Sequence, residues 1–303
     1  MFRLVQERLD LKNEIDGGSS GKVYPYQEDP KDERWVVKRV KFERFEELSK
    51  LIQEIVIGFV WNHPCLVPVK GYSLDTMEGK NFVNIKLPRM KQSLMDEFVQ
   101  RGGRRERKDE KKFCDEEQLI KYFYAIVCGL DHLHKKQIFH GDVKMGNILI
   151  DMKGNAKLSD FGCSRYIPEE DETSLFTSTN GALNYKAPEI IQLEKGDGRE
   201  NGFNQESLSL ADSWSLGLTM LEFSLLEIRL INPNKSGQEI QELLVELREK
   251  VEGMNKYGKA LLDIIFGLLS FDVKNRLKVE DVKRRLETEF KEIIVCFSEG
   301  FVC

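Results

Sequence analysis

The chain is 303 residues long, 41% hydrophobic and 32% charged, with a formal net charge of −5, and this length suffices for one large domain or for two lobes around a cleft. The negative balance argues against a dedicated nucleic-acid binder, which needs a basic face to neutralise phosphates, and no apolar run approaches the ~20 residues of a membrane span. Six cysteines, at 65, 114, 128, 163, 296 and 303, form no CxxC pair and no zinc-type spacing, a pattern that reads as reduced thiols in a cytoplasmic or nuclear protein.

The opening Met1-Phe2-Arg3-Leu4-Val5-Gln6-Glu7-Arg8 interrupts its apolar character with charge at once and does not read as a signal peptide. Residues 9–40 alternate short β-type runs with Gly, Pro and Asp, and Val36-Val37 before Lys38 predicts a strand. Over 43–60, Phe45, Leu48, Ile52, Ile55 and Phe59 recur at three- and four-residue intervals and predict a helix. Asn62-His63-Pro64 ends it, because a proline disfavours helix in the residue before it. Leu66-Val67 and Phe82-Val83-Asn84-Ile85 read as further strands.

From residue 93 onward helices dominate. Leu119, Phe123, Val127, Leu130 and Leu133 form one stripe over 116–134. The stretch 210–226 is apolar all round, the mark of a buried central helix, and 238–250, 259–270 and 279–294 supply three more. Two segments read as exposed insertions: 101–112, with seven basic and three acidic side chains, and 194–209, rich in Gly, Asn and charge. His63, His132 and His134 read as helix-end or core residues, not as metal ligands.

Six motifs then carry chemistry, and their order makes them specific. They are Asp16-Gly17-Gly18-Ser19-Ser20-Gly21, Val36-Val37-Lys38, Glu54 ten residues before Pro64, His140-Gly141-Asp142-Val143-Lys144-Met145-Gly146-Asn147, Asp160-Phe161-Gly162 thirteen residues after Asn147, and Ala187-Pro188-Glu189. Glycines let backbone amides approach phosphates. Two carboxylates and a carboxamide at this spacing suit a hydroxyl-orienting group plus magnesium ligands on a nucleotide triphosphate. Over residues 10–290 the chain resembles the protein kinase family, of the Ser/Thr-directed type, since Lys144 stands two residues after Asp142.

That resemblance implies an α+β, bilobal fold in a single domain spanning 1–303. A strand-rich N-lobe with one main helix covers about 1–87, a hinge 88–90, a larger helical C-lobe about 91–295, and a short tail follows. It implies ATP and Mg2+ as cofactors, a protein substrate, and transfer of the γ-phosphoryl to Ser or Thr. Gly18 and Gly21 would cradle phosphates. Val36 would lie over the adenine ring, Leu87 would be the gatekeeper, Val23 and Leu149 would also bind ATP, and the backbone of Pro88, Arg89 and Met90 would pair with the adenine edge. Lys38 would contact the α- and β-phosphates, braced by Glu54. Asp142 would orient the substrate hydroxyl and accept its proton, Lys144 would offset phosphoryl charge, and Asn147 and Asp160 would hold magnesium. Asp212 would brace the catalytic loop, Arg276 would pair with Glu189, and His140 would be a packing residue.

Besides Val36, which stands where the family usually has alanine, four positions depart from the family pattern. Asp16 replaces the first loop glycine, Gly141 an arginine that receives an activation-segment phosphate, and Ala182 a threonine bonded to the catalytic Asp and Lys. Asp16, Gly141 and Ala182 keep a second reading open: a pseudokinase serving as a nucleotide-binding or scaffold module. Gly58 falls at one place in a four-member stack with His140, Phe161 and Val69. A missing side chain there predicts a loosely held helix and a Lys38–Glu54 pair only partly formed without a ligand, unless Phe59 or Trp61 fills the gap.

Overall fold

The computed structural model describes residues 11–18, 21–26, 34–103, 111–168, 181–195, 204–228 and 235–300. The first lobe is an antiparallel sheet in the order β1-β2-β3-β5-β4, built from β1 (Asp16–Gly18), β2 (Gly21–Tyr26), β3 (Trp35–Phe42), β4 (Gly71–Met77) and β5 (Lys80–Pro88). Gly21 is demanded by packing: its φ is +120°, and a Cβ there would lie 2.7 Å from Val40 Cγ2 and 2.9 Å from the Arg39 carbonyl oxygen. Helix α1 (Phe45–Val60) lies across this sheet, and Leu51 and Ile55 pack with Val69, Val83 and Ile85 into a small separate core.

The periodicity that predicts α1 marks its buried face only in part: Ile55 is buried and Leu48 packs against the small core, but the other three are exposed. Phe45, Ile52 and Phe59 are 77%, 49% and 56% exposed, and the buried positions are Leu51, Glu54, Ile55, Ile57 and Gly58. The helix carries apolar residues on two faces: Leu51, Ile55 and Ile57 are buried, whereas Ile52, Val56, Phe59 and Val60 line an open groove with Tyr72 and Leu74 of β4.

The second lobe is mostly helical. The short strand β6 (Gln92–Ser93) and helix α2 (Leu94–Gln100) follow β5, then α3 (Glu116–His134). Asp115 caps α3 by accepting the Gln118 N–H at 2.8 Å. The expected α3 stripe, Leu119, Phe123, Val127, Leu130 and Leu133, is fully buried. After β7 (Ile138–Phe139), strands β8 (Ile148–Ile150) and β9 (Ala156–Leu158) form a sheet with β6, and β10 (Arg165–Tyr166) pairs with β7.

Helix α4 (Pro188–Lys195) precedes the central α5 (Gln205–Leu225), which is buried along nearly its whole length around Trp214 and Phe223. Then come α6 (Gly237–Gly253), α7 (Lys259–Leu268), α8 (Val279–Glu289) and α9 (Lys291–Gly300). The helix expected over 279–294 is thus two helices, broken at Phe290, whose backbone (φ −123°, ψ 32°) leaves the helical region while its ring packs against the main core. No helix among the described residues is long and apolar enough to cross a membrane.

The two lobes meet through the chain between α1 and β4. Leu158 N–H donates to the Cys65 carbonyl at 2.8 Å and Val67 N–H to the Leu158 carbonyl at 2.9 Å. These bonds fix β9, and the residues that follow it, against the first lobe.

Candidate active site

On β3, Lys38 sits opposite Val23 of β2 and Ile85 of β5, one pleat away from the Val36–Leu87 pair. Alternation therefore puts Lys38 and Val36 on one face of the sheet, the face toward the second lobe. Glu54 lies on the buried side of α1 and accepts from Lys38 Nζ at 2.8 Å, both side chains being about nine-tenths buried. Asp160 Oδ1 is 3.4 Å from the same ammonium. Burial works against the charge on Lys38, but the Glu54 and Asp160 carboxylates outweigh it and hold the ammonium above its usual range.

This overturns the expectation of a partly formed pair. The cause is the packing at Gly58, where Val69 fills the space: a Cβ on Gly58 would lie only 2.6 Å from Val69 Cγ2. Gln53 of α1 also donates through Nε2 to the Ser164 carbonyl, just beyond Asp160-Phe161-Gly162. The helix is fastened on both sides of Glu54.

The loop 140–147 is held from below by Asp212 of α5. Its carboxylate is fully buried and accepts the His140 N–H, the Gly141 N–H and His134 Nε2, each at 2.8 Å. Burial pushes this carboxyl up, yet the His134 hydrogen bond, the two histidines and the Gly141 N–H outweigh that and hold it below its usual range. His134 ends α3 in this role, as a helix-end residue. His140 uses both ring nitrogens on backbone, Nδ1 accepting from Asp142 N–H at 3.2 Å and Nε2 donating to the Ser159 carbonyl at 3.1 Å. Its ring meets Phe161 edge-on at 5.7 Å, so it packs and props, and neither nitrogen faces a reacting group.

Asp142 is buried and receives Lys144 Nζ at 2.6 Å and Asn147 Nδ2 at 2.8 Å on Oδ2. Asn147 Nδ2 also donates to the Asp142 carbonyl at 2.8 Å, which commits the amide nitrogen inward and leaves the amide oxygen to act as an acceptor or ligand. Ser159 binds the Asn147 carbonyl through both its N–H and its Oγ, at 2.9 Å each, so Asp160 starts beside Asn147. Asp160 itself adopts a left-handed backbone, φ 64° and ψ 74°, a strain typical of functional positions. An amide oxygen and a carboxylate are the hard donors that suit magnesium.

The remaining sequence-derived positions lie on β1, β2, β3, the end of β5, the segment after it and β8. Val36 is buried; Val23, Leu87, Met90 and Leu149 are half-buried. Leu149 on β8 pairs with Ser93, and Arg89 N–H donates to the Arg34 carbonyl at 2.7 Å, tying the segment after β5 to the start of β3. Gly18 faces Gly21 across the β1–β2 turn; the Asp16 side chain and residues 19–20 lie outside the described residues. Cys163 borders the site, but burial, then Asp142 and Asp160, push its thiol up to about 11, which disfavours the thiolate.

The sequence did not disclose two contacts. One is the Gln53 bond to residue 164. The other is a bond from the Ala182 backbone N–H to Asp142 Oδ1 at 2.8 Å. A main-chain donor leaves no residue-type signal, and the one hint is the glycine that precedes it.

Residues 9–286 match the family of protein kinase domains. The chain is similar to CBL-interacting serine/threonine-protein kinase 8 of Arabidopsis thaliana, with 30% identity over 61% of this chain and 36% of that protein. It is also similar to CBL-interacting protein kinase 26 of Oryza sativa subsp. japonica, with 23% identity over 93% of this chain and 52% of that one. With cyclin-dependent kinase 11.1 of Caenorhabditis elegans it shares 28% identity over 82% of this chain and 32% of that one. The chain thus spans about a third to about half of the length of the curated relatives it matches. It belongs to the protein kinase domain family.

Proposed function

We propose that this kinase domain transfers the γ-phosphoryl of ATP to Ser or Thr hydroxyls of protein substrates. The observation that carries the reading is the set assembled on one buried ammonium, Lys38 with Glu54 at 2.8 Å and Asp160 at 3.4 Å. It brings the anchoring cation and a metal-binding carboxylate to one point of the cleft. We read the described chain as one catalytic unit, with the first lobe ending at about residue 87 and the hinge at 88–90.

In this reading Lys38 grips the α- and β-phosphates, held in place by Glu54. Gly18 and Gly21 present backbone to the phosphates. Val23, Val36, Leu87 and Leu149 sandwich the adenine, whose edge pairs with the backbone of Pro88, Arg89 and Met90. Asn147 and Asp160 would hold magnesium, which neutralises charge on the β- and γ-phosphates when bound. Asp142 turns the substrate hydroxyl toward the phosphorus and takes its proton, and Lys144 offsets charge on the phosphoryl oxygens. Lys144 also supports Ser/Thr over Tyr as acceptor.

A second reading, a pseudokinase, is favoured by Asp16, Gly141 and Ala182. Incubation with γ-labelled ATP, magnesium and a generic protein substrate separates the two. Label on Ser or Thr supports transfer. Nucleotide binding without label supports the pseudokinase.

A further inference from the structure

On the acceptor side of the site, the main chain of the activation segment reaches the Asp142 carboxylate. Asp142 Oδ2 takes two donors, Lys144 Nζ at 2.6 Å and Asn147 Nδ2 at 2.8 Å, and Oδ1 takes one, the Ala182 N–H at 2.8 Å. An ionised carboxylate offers about four lone-pair positions. Three are used here, and the open one is on Oδ1. The alanine has no hydroxyl to give, so the main chain makes the contact that a threonine side chain makes in the family resemblance.

The N–H arrives there because two glycines meet. Gly181 has φ +119°, and a Cβ on it would lie 2.3 Å from the Gly141 carbonyl oxygen and 3.4 Å from Asp142 Oδ1. Gly141 has φ +75°, and a Cβ on it would lie 2.9 Å from the Cys163 carbonyl oxygen. Its own N–H is tied to Asp212 Oδ1 at 2.8 Å, so the catalytic loop is not free to retreat. Any side chain at 181 must push the activation segment outward and draw the Ala182 N–H away from the carboxylate.

We propose that Gly181 is a positioning residue, which through its bare, left-handed backbone delivers the Ala182 N–H to Asp142. This bond fixes the rotation of the carboxylate and leaves one lone pair of Oδ1 for the incoming hydroxyl. The inference rests on the kinase reading above. It also shows how the carboxylate is oriented without a threonine hydroxyl at 182: the backbone itself donates.

Two measurements test it. In steady-state kinetics with ATP and casein, Gly181→Ala should lower kcat at least ~30-fold while the KM for ATP stays within ~threefold, because the nucleotide contacts lie on the other side of Asp142. Amide hydrogen exchange reads the bond itself, whether or not that variant folds well: the Ala182 N–H should be protected in the wild type and fast in Asp142→Ala. An unchanged kcat in folded Gly181→Ala, or equally fast exchange at Ala182 in both proteins, would overturn the inference and leave the kinase reading standing. A wild type that protects Ala182 but transfers no phosphate would instead overturn the kinase reading, and the catalytic use of the bond with it.

Discussion

Val69 rests against the bare backbone of Gly58: its Cγ2 lies 2.6 Å from where a Cβ on Gly58 would be, and its N–H donates to the Gly58 carbonyl at 2.9 Å. The absent side chain leaves no hole. It lets the chain leading into β4 close directly onto α1. Phe59, at 56% exposed, does not turn inward to fill the place, and the Lys38–Glu54 pair is complete. Gly58→Leu should therefore overpack the contact, at a typical cost of ~1–3 kcal/mol. Differential scanning fluorimetry should show a melting temperature at least ~2 °C lower, with basal activity no higher than wild type. Higher activity at an unchanged melt would restore the loosely held helix.

Phosphoryl transfer should depend separately on Lys38, Asp142 and Asp160. On the proposed reading, Lys38→Met would remove the phosphate contact while keeping the stem, Asp142→Asn would remove the proton acceptor, and Asp160→Asn would weaken the magnesium site. Each should lower turnover at least ~100-fold, the usual scale of acid–base and electrostatic contributions. Near-normal turnover by purified Asp160→Asn would remove the metal assignment.

Much of this site was legible because side-chain chemistry at fixed spacing is a residue-type signal. Lys38, Glu54, Asp142, Asn147 and Asp160 are separated by up to 122 positions, yet four motifs name all five. The stripe of α3 was legible for a related reason: it has a single apolar face. Helix α1 has two, and periodicity alone does not choose between them, so Phe45, Ile52 and Phe59 came out exposed. Gly58 misled because an absent side chain was read as absent packing, when the backbone could move in. The Ala182 N–H was invisible since every residue but proline has one.

Activity should not require a phosphate on the activation segment. Thr173, Ser174, Thr177, Ser178 and Thr179 are candidate acceptors and lie outside the described residues. Gly141 has no guanidinium to receive such a phosphate in bidentate fashion, and the loop is instead fixed from beneath by Asp212. Phosphatase-treated protein should keep its rate to within ~tenfold, equivalent to ~1.4 kcal/mol in the barrier. A larger loss in the same assay would mean that another cation receives the phosphate.

Acid should weaken the second lobe at Glu227, which accepts from Lys111 Nζ at 3.1 Å and Lys250 Nζ at 2.5 Å. Burial pushes this carboxyl up, but the hydrogen bonds from Lys250 and Lys111 outweigh it and bring it from 4.5 to about 2. A carboxyl depressed in the folded state stabilises fully above its unfolded value, and the gain is lost as pH falls through the folded one. Melting curves of the wild type and Glu227→Gln should therefore differ most near pH 6 and converge between about pH 4.5 and 2. A gap that stays constant over that range would mean that the contact does not depend on the carboxylate charge.

Arg276 fastens three pieces of the second lobe. Its guanidinium binds Glu189 of α4 through both ends, Nη1 to Oε1 at 2.5 Å and Nη2 to Oε2 at 2.9 Å. Nη1 also donates to the Leu210 carbonyl of α5 at 3.1 Å, and Nε to the Ser270 carbonyl at 3.0 Å. The group lies 5.0 Å above the Trp214 ring, with its own side chain fully buried and Glu189 19% exposed. Arg276→Ala strands the carboxylate and two carbonyls at once. Removing one partner of a buried pair typically costs ~3–5 kcal/mol, and the partial exposure of Glu189 puts this case at the lower end. Arg276→Lys keeps the charge but loses the fork that matches a carboxylate, so it should recover only part of the loss. Because Glu189 follows directly on the segment that carries Ala182, transfer activity should fall together with the melting temperature in both variants, and more steeply in Arg276→Ala. A melt unchanged by Arg276→Ala would show that the segment is held by other contacts, with the Tyr185 hydroxyl on Glu222 at 2.7 Å the first to test.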